Sequence, residues 1–227
     1  MNFFSFFNET DVDKVGNLEG SQSYLVNDSY ETLPHKNLYK PVNISKIEAV
    51  IEENAIITDV ISLGNLSLKG IMVNKKFKAI VEKYKLKDIQ FVPVNFLNKT
   101  DVQEYFFMFF NSDLTHFIDY DKTKFVIQKK SLFKDNAIQT SVEINKNNRN
   151  DLIELDREYA GSIKYSILTK NGEYYFNTAF DYDVFRIGHF NLRFYFSEGL
   201  KEVLINSGLT GFYFSDLPVV IYSNKGE

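Results

Sequence analysis

Two short triplets, Asp119-Tyr120-Asp121 and Asp181-Tyr182-Asp183, hold the residues of this chain best suited to chemistry. In an extended strand residues i and i+2 share a face, so each triplet would set two carboxylates side by side. Such a pair raises one proton affinity through mutual repulsion, or ligates a hard cation such as Mg²⁺, as a metal-dependent hydrolase or transferase requires. Paired carboxylates beside a tyrosine also make a docking face for a basic protein, because charge steers the approach and the ring supplies contact area. The plainest reading is a solvated acidic surface, since Asp next to Tyr is common loop material. The docking reading requires exposed aspartates.

Other chemistry is sparsely represented. His35, His116 and His189 are far apart, none has a histidine at ligand spacing, and a zinc site is not expected. His116 in an apparent hairpin and His189 between apparent strands read as sheet-surface residues. The chain has no cysteine, hence no disulfide, thiolate nucleophile or Cys-ligated zinc. No G-x-S-x-G, P-loop or G-x-G-x-x-G occurs. The expectation is a non-enzyme with no catalytic residue, cofactor or metal.

Charge and hydropathy narrow the partners. Lys plus Arg number 26 against 30 Asp plus Glu, a net charge of −4, so no basic field exists to hold a phosphate backbone, and nucleic acid is not expected. No window approaches ~18 uninterrupted apolar residues, so no membrane span is expected. Met1 to Phe7 lacks a preceding Lys or Arg, and Asn8, Glu9, Asp11 and Asp13 interrupt it before a signal-peptide core could form. A cytoplasmic location is the expectation.

The elements that must position these residues follow from apolar patterning. With 227 residues, 44% hydrophobic and 25% charged, and 22 Phe plus 14 Tyr, the chain can bury a large aromatic core, and such residues favour sheets. The Phe cluster at residues 3–7 reads as an edge strand or a lid on the body, or else as an exposed partner-binding patch. Residues 8–45 read as loops and short strands. Ser45-Lys46-Ile47-Glu48 matches a capping box, predicting a short helix ending near Asn54, with a strand through Ile56 to Ile61. Ile71-Met72-Val73 reads as a strand, Asn74 as an N-cap, and Phe77, Ile80, Val81 and Tyr84 as a helix face. Ile89 to Val94 reads as a strand whose Pro93 places it at an edge or at its own end. Glu104 to Phe110, the turn Asn111-Ser112-Asp113 and Leu114 to Asp119 read as a hairpin.

Further strands are expected at Lys124 to Ile127, Ile138 to Ile144 and Ile163 to Leu168, with a polar break at residues 145–150 and a short helix carrying Leu152, Ile153 and Leu155. Phe194-Tyr195-Phe196 is a strand, Ser197 an N-cap, Leu200, Val203 and Leu204 a helix face, Gly208 a C′ stop, and Thr210 to Phe214 a returning strand. Sliding the segment from Ile71 onto that from Phe194 matches Asn74 with Ser197, Phe77 with Leu200, Ile80 with Val203, Val81 with Leu204 and Phe91 with Phe214. Periodicity alone forces most such matches, and a true duplication would mean a pseudo-symmetric sheet.

Three of these stretches together resemble a family of bacterial immunity proteins of polymorphic toxin systems, long catalogued as a domain of unknown function. They are Gly70 through Asn74 into its helix and Phe91-Val92-Pro93-Val94, then Glu104 through Thr123, and then Phe194 through Ser197 to Gly208-Leu209-Thr210-Gly211-Phe212. The ending is the most specific, and the resemblance covers roughly residues 60 to 218. It implies stoichiometric binding that blocks a cognate toxin, with no catalytic residues to carry across.

The combined expectation is an α+β fold: an aromatic-rich, mostly antiparallel twisted sheet with two or more packed helices and a strand-helix-strand unit that could be repeated. Residues 1–60 form an N-terminal extension packed on the body and residues 61–227 an immunity-like domain. The leading function is toxin neutralisation through Asp119, Tyr120, Asp121, Asp181, Tyr182 and Asp183. The alternatives are a metal-dependent hydrolase or transferase using the paired aspartates, and a general interaction module that self-associates.

Overall fold

The computed structural model describes residues 1–16, 22–26, 43–63, 70–100, 102–129, 140–144, 148–158 and 165–223. In chain order the elements are β1 (Asn2–Asn8), α1 (Val12–Val15), β2 (Ser23–Leu25), β3 (Ile47–Ile51), β4 (Val60–Ile61), β5 (Gly70–Asn74), α2 (Lys75–Val81), β6 (Ile89–Phe96) and β7 (Tyr105–Phe110). There follow β8 (Phe125–Lys129), β9 (Thr140–Ile144), α3 (Arg149–Glu158), β10 (Tyr165–Thr169), β11 (Glu173–Phe176), β12 (Val184–Gly188), β13 (Asn191–Ser197), α4 (Glu198–Asn206), β14 (Phe212–Phe214) and β15 (Val219–Ser223). The fold is α+β and sheet-rich. Of the strand pairings, β3 with β6 and β11 with β15 are parallel, and the others are antiparallel.

One sheet runs β2-β3-β6-β7-β5-β4 and curls until its ends meet. Ser23 of β2 bridges Leu63 just past β4, and the Gln22 and Ser23 amides both donate to the Ser62 carbonyl at 3.1 Å. The Gln22 side chain seals this seam, accepting from the Ser62 amide at 2.9 Å and donating to Thr58 Oγ1 at 2.9 Å. A six-stranded barrel results, filled by Ile47, Ala49, Ile51, Met72, Tyr105, Phe107 and Phe109. Strand β7 is buried at all six positions because its alternate residues, Phe106, Met108 and Phe110, face a second core outside the barrel. That explains an uninterrupted apolar run where a half-buried strand would alternate.

The second sheet, β11-β15-β1-β13-β12 with β14 also paired to β1, has a core on each side. On one side Phe6, Val184 and Phe196 meet the barrel's outer face and the helices α2 and α4 through Phe77, Val81, Leu200 and Leu204. On the other, Phe3, Phe185, Ile187 and Tyr195 meet the three-stranded sheet β10-β8-β9 and α3 through Phe125, Ile167, Leu152 and Ile153. Burying Phe side chains on both faces of one sheet, each worth about 2–3 kcal/mol, is what the aromatic load does.

Several expectations are corrected. The Phe cluster at residues 3–7 is neither edge nor lid: β1 lies between β13 on one side and β14 and β15 on the other, so a boundary at residue 60 cuts through both large sheets. Ile47 to Ile51 is a strand, because Ile47, Ala49 and Ile51 alternate with period 2 into the barrel, which outweighs the local capping pattern. The segment after β7 does not return as a hairpin. The Asp113 carboxylate accepts from the Thr115 amide at 3.1 Å and from its hydroxyl, winding Thr115–Phe117 into a 3₁₀ turn, while the Leu114 amide bonds to Ile187 and carries the chain to the second sheet. Strand β6 continues past Pro93 to Phe96; its pairing with β3 begins only at Val94, so Pro93 lies where β6 has one paired edge.

Both expected strand-helix junctions form. Asn74 caps α2, its side chain accepting from the Phe77 amide at 2.9 Å, and Ser197 precedes α4 in an extended conformation without a side-chain capping bond. Among the described residues no helix is long and apolar enough to cross a membrane.

Candidate partner-binding site

Neither acidic triplet lies on a strand. Asp119 to Asp121 form a turn after the 3₁₀ segment, and Asp181 to Asp183 an irregular approach to β12, so the same-face geometry expected to pair the carboxylates is absent. The first triplet is closed on itself. Asp119 accepts from the Lys122 amide at 3.2 Å and pairs with Lys122 Nζ at 3.1 Å, contacts that lower its pKa. Tyr120 turns inward, donating to the Thr115 carbonyl at 2.8 Å and stacking on Phe125 at 5.9 Å, and burial pushes its hydroxyl pKa up. Asp121 is exposed, its carbonyl accepting from Lys124 Nζ at 2.7 Å.

The second triplet opens onto a groove of about 430 Å³, lined also by Tyr84, Lys85 and Glu198. Asp181 is exposed and ion-paired with Lys85, whose pKa it raises. Tyr182 is half-buried, its ring edge-on to Phe180 at 5.4 Å with Lys87 Nζ 5.3 Å from its centroid. Asp183 is structural: its carboxylate accepts from the Lys85 amide at 3.0 Å and the Ser197 hydroxyl at 2.8 Å. The site thus reduces to an exposed carboxylate and a tyrosine at a groove, with one aspartate committed to holding the wall. Among the described residues no three of histidine, aspartate and glutamate converge as metal ligands, so the paired-aspartate metal reading takes no support from their placement.

The most elaborate polar cluster among the described residues lies outside both triplets. Arg149, the first residue of α3, donates through Nη2 to Asp113 at 2.9 Å and through Nε to the Thr115 hydroxyl at 2.8 Å. His189, in the β12–β13 turn with φ of 38°, places Nε2 2.9 Å from Arg149 Nη2 and 3.2 Å from Asp113. Exposed His116 stands 3.4 Å from the same carboxylate. Burial alone would raise the Asp113 pKa, but the bonds from His189, Thr115 and Arg149 outweigh it and hold the carboxyl well below the usual range. The cluster locks α3, the loop after β7 and the β12–β13 turn together. Its residues are 36 and 40 positions apart, so no local spacing betrays it; the only signal is an arginine placed at a helix start, where acids are favoured.

No protein-family model matches this chain, and no curated protein matches it.

Proposed function

We propose that this chain is a non-enzymatic immunity protein that binds and neutralises a cognate bacterial toxin domain. The observation that carries the reading is the groove where exposed Asp181, paired with Lys85, and half-buried Tyr182 stand beside Asp183 and Glu198, an aromatic surface with more carboxylates than cations, fit for a basic partner. Tyr120 and Asp119 leave the proposed interface because their side chains serve the turn they occupy. A three-core scaffold supports the role, since inhibition by binding needs a rigid face and no reacting group.

The two strand-helix-strand units are, on the same reading, a duplication. Asp59 and Asp183 support it: each accepts the backbone amide of its cap residue on its carbonyl and that residue's side chain on its carboxylate.

The test is co-expression with the toxic C-terminal domain encoded beside the gene. Growth should be rescued by the wild type and at least tenfold less effectively by Asp181→Lys with Tyr182→Ala. Killing unchanged by the wild type would overturn the immunity reading; full rescue by the double variant would move the interface elsewhere.

A further inference from the structure

Another groove lies at the other ends of β1 and β13, against Phe6 to Asn8 and Phe190 to Phe194, and shares no lining residue with the one above. It measures about 450 Å³ and shares the lining residues Leu168, Asn191 and Arg193 with a second cleft of about 410 Å³. One wall is β10, contributing Ser166, Ile167 and Leu168; the other is the start of β13, Phe190 to Phe194. Strand β10 pairs with β8 along one side, and among the described residues no strand pairs along its other side. An unpaired edge beside a groove is the geometry that accepts an added strand.

Charge selects the occupant. Arg193 stands at the junction of the two clefts, its guanidinium 5.9 Å from the Phe7 ring, and no carboxylate pairs with it among the described residues. Below it the floor is fully bonded: Asn191 donates to the hydroxyls of Tyr174 at 2.6 Å and Tyr195 at 2.8 Å, so these groups present a fixed surface. The lining includes Phe7 and exposed Leu192, and outside it exposed Tyr213 stacks on Phe7 at 5.2 Å. Arginine with aromatic neighbours is the composition of binding hot spots. Asp156 of α3 also lines the larger cleft and disfavours an acid near it, which directs a carboxylate to the Arg193 end.

We propose that this groove binds an extended acidic peptide segment of a protein partner, which adds as a strand to the edge of β10 that no described strand pairs and places a carboxylate on Arg193. Alternate residues of an added strand face the floor, so the carboxylate and the apolar side chains flanking it must be two positions apart. The inference stands independently of the toxin reading.

The probe is an acetylated, amidated hexapeptide of sequence Val-Thr-Asp-Thr-Val-Thr, compared by calorimetry with the same peptide carrying Lys for Asp. The wild type should bind the acidic peptide with one-to-one stoichiometry and the lysine peptide at least tenfold more weakly. Arg193→Glu, checked for folding by circular dichroism, should reverse that order. Leu192→Asp, at an exposed position, should weaken the acidic peptide severalfold without affecting the fold. Hydrogen exchange at residues 165–169 should slow on binding. Absence of binding to either peptide, an order unchanged by Arg193→Glu, or binding without protection of β10 would each overturn the proposal.

Discussion

The Ser197 hydroxyl donates to the Asp183 carboxylate at 2.8 Å, and the Ser197 amide donates to the Asp183 carbonyl at the same distance. Asn74 does likewise to Asp59, at 2.6 Å from its side chain and 2.9 Å from its amide. The remaining carboxylate oxygen of each aspartate reaches across: Asp183 accepts from the amide of Lys85, which follows α2, and Asp59 from that of Thr210, which follows α4, at 2.8 Å. Each strand-helix junction is therefore fastened to the chain leaving the other helix. The barrel and the second sheet are held in register by this exchange as well as by their shared core.

The two aspartates of the second triplet should consequently behave differently. Asp183→Ala removes the acceptor of two bonds, one from the exposed Lys85 amide and one from the partly buried Ser197 hydroxyl, a cost of about 1–2 kcal/mol. Asp181→Ala breaks an exposed ion pair with Lys85 and should cost about 0–1 kcal/mol. Urea unfolding of both variants checks this, and equal losses would contradict the structural role of Asp183.

Glycine spacing in the Gly208-Leu209-Thr210-Gly211-Phe212 run has a steric cause at Gly211. Its φ is 90°, and a Cβ there would stand 2.1 Å from the Val60 carbonyl oxygen and 2.4 Å from Thr58 Oγ1. Gly211→Ala should therefore destabilise by about 2 kcal/mol or more, from left-handed backbone and collision together. Gly199→Ala meets nothing within 4 Å in the first turn of α4 and should stabilise by about 0.5–1 kcal/mol. Thermal denaturation separates the two, which should move in opposite directions.

The paired caps offer a third contrast. Asn74 both accepts the Phe77 amide and donates to Asp59, whereas Ser197 donates to Asp183 and caps nothing through its side chain. Asn74→Ala should cost about 1–2 kcal/mol and Ser197→Ala about 1 kcal/mol or less. A larger loss at Ser197 in chemical denaturation would contradict this ordering.

The local patterns read correctly wherever one element decides the outcome. Asn74 before Phe77 and Val81, and Ser197 before Leu200 and Leu204, announce their helices because cap and apolar face lie within one turn of each other. Val203, matched to the helix face by spacing, is instead 41% exposed, since a seven- to nine-residue helix buries only a narrow stripe. The patterns fail where a distant partner decides. Ile47 to Ile51 becomes a strand because β6, more than forty residues later, pairs with it. The hairpin after β7 is lost because Leu114 bonds to Ile187, and the Asp113–Arg149–His189 cluster exists only once three separate segments meet. The triplets were legible as residue types but not as geometry: the strand that would have aligned their carboxylates is a turn in one case and an irregular run in the other.

Acid should unlock the same cluster. The Asp113 carboxyl in the folded protein lies below its ordinary value, burial opposing the shift and the bonds from His189, Thr115 and Arg149 winning. An unfolded aspartate titrates near about 3.9, so below that pH the unfolded chain binds a proton that the folded chain refuses. The contribution of Asp113 is thus fully present above about pH 5 and declines as pH falls through the unfolded value towards the folded one. Asp113→Asn keeps the shape but not the charge, and should be less stable than the wild type by about 1–3 kcal/mol at pH 7. That difference should shrink progressively between about pH 5 and pH 3, because the wild type loses its charge while the variant has none to lose. Glu9, Asp119 and Glu143 are lowered as well, by lysine contacts, but they are present in both proteins and cancel in the comparison. Urea midpoints of the pair across that range measure the effect directly. A gap that stays constant with pH would mean that Asp113 acts through packing and neutral hydrogen bonds alone, and that Arg149 holds α3 without needing its charge partner.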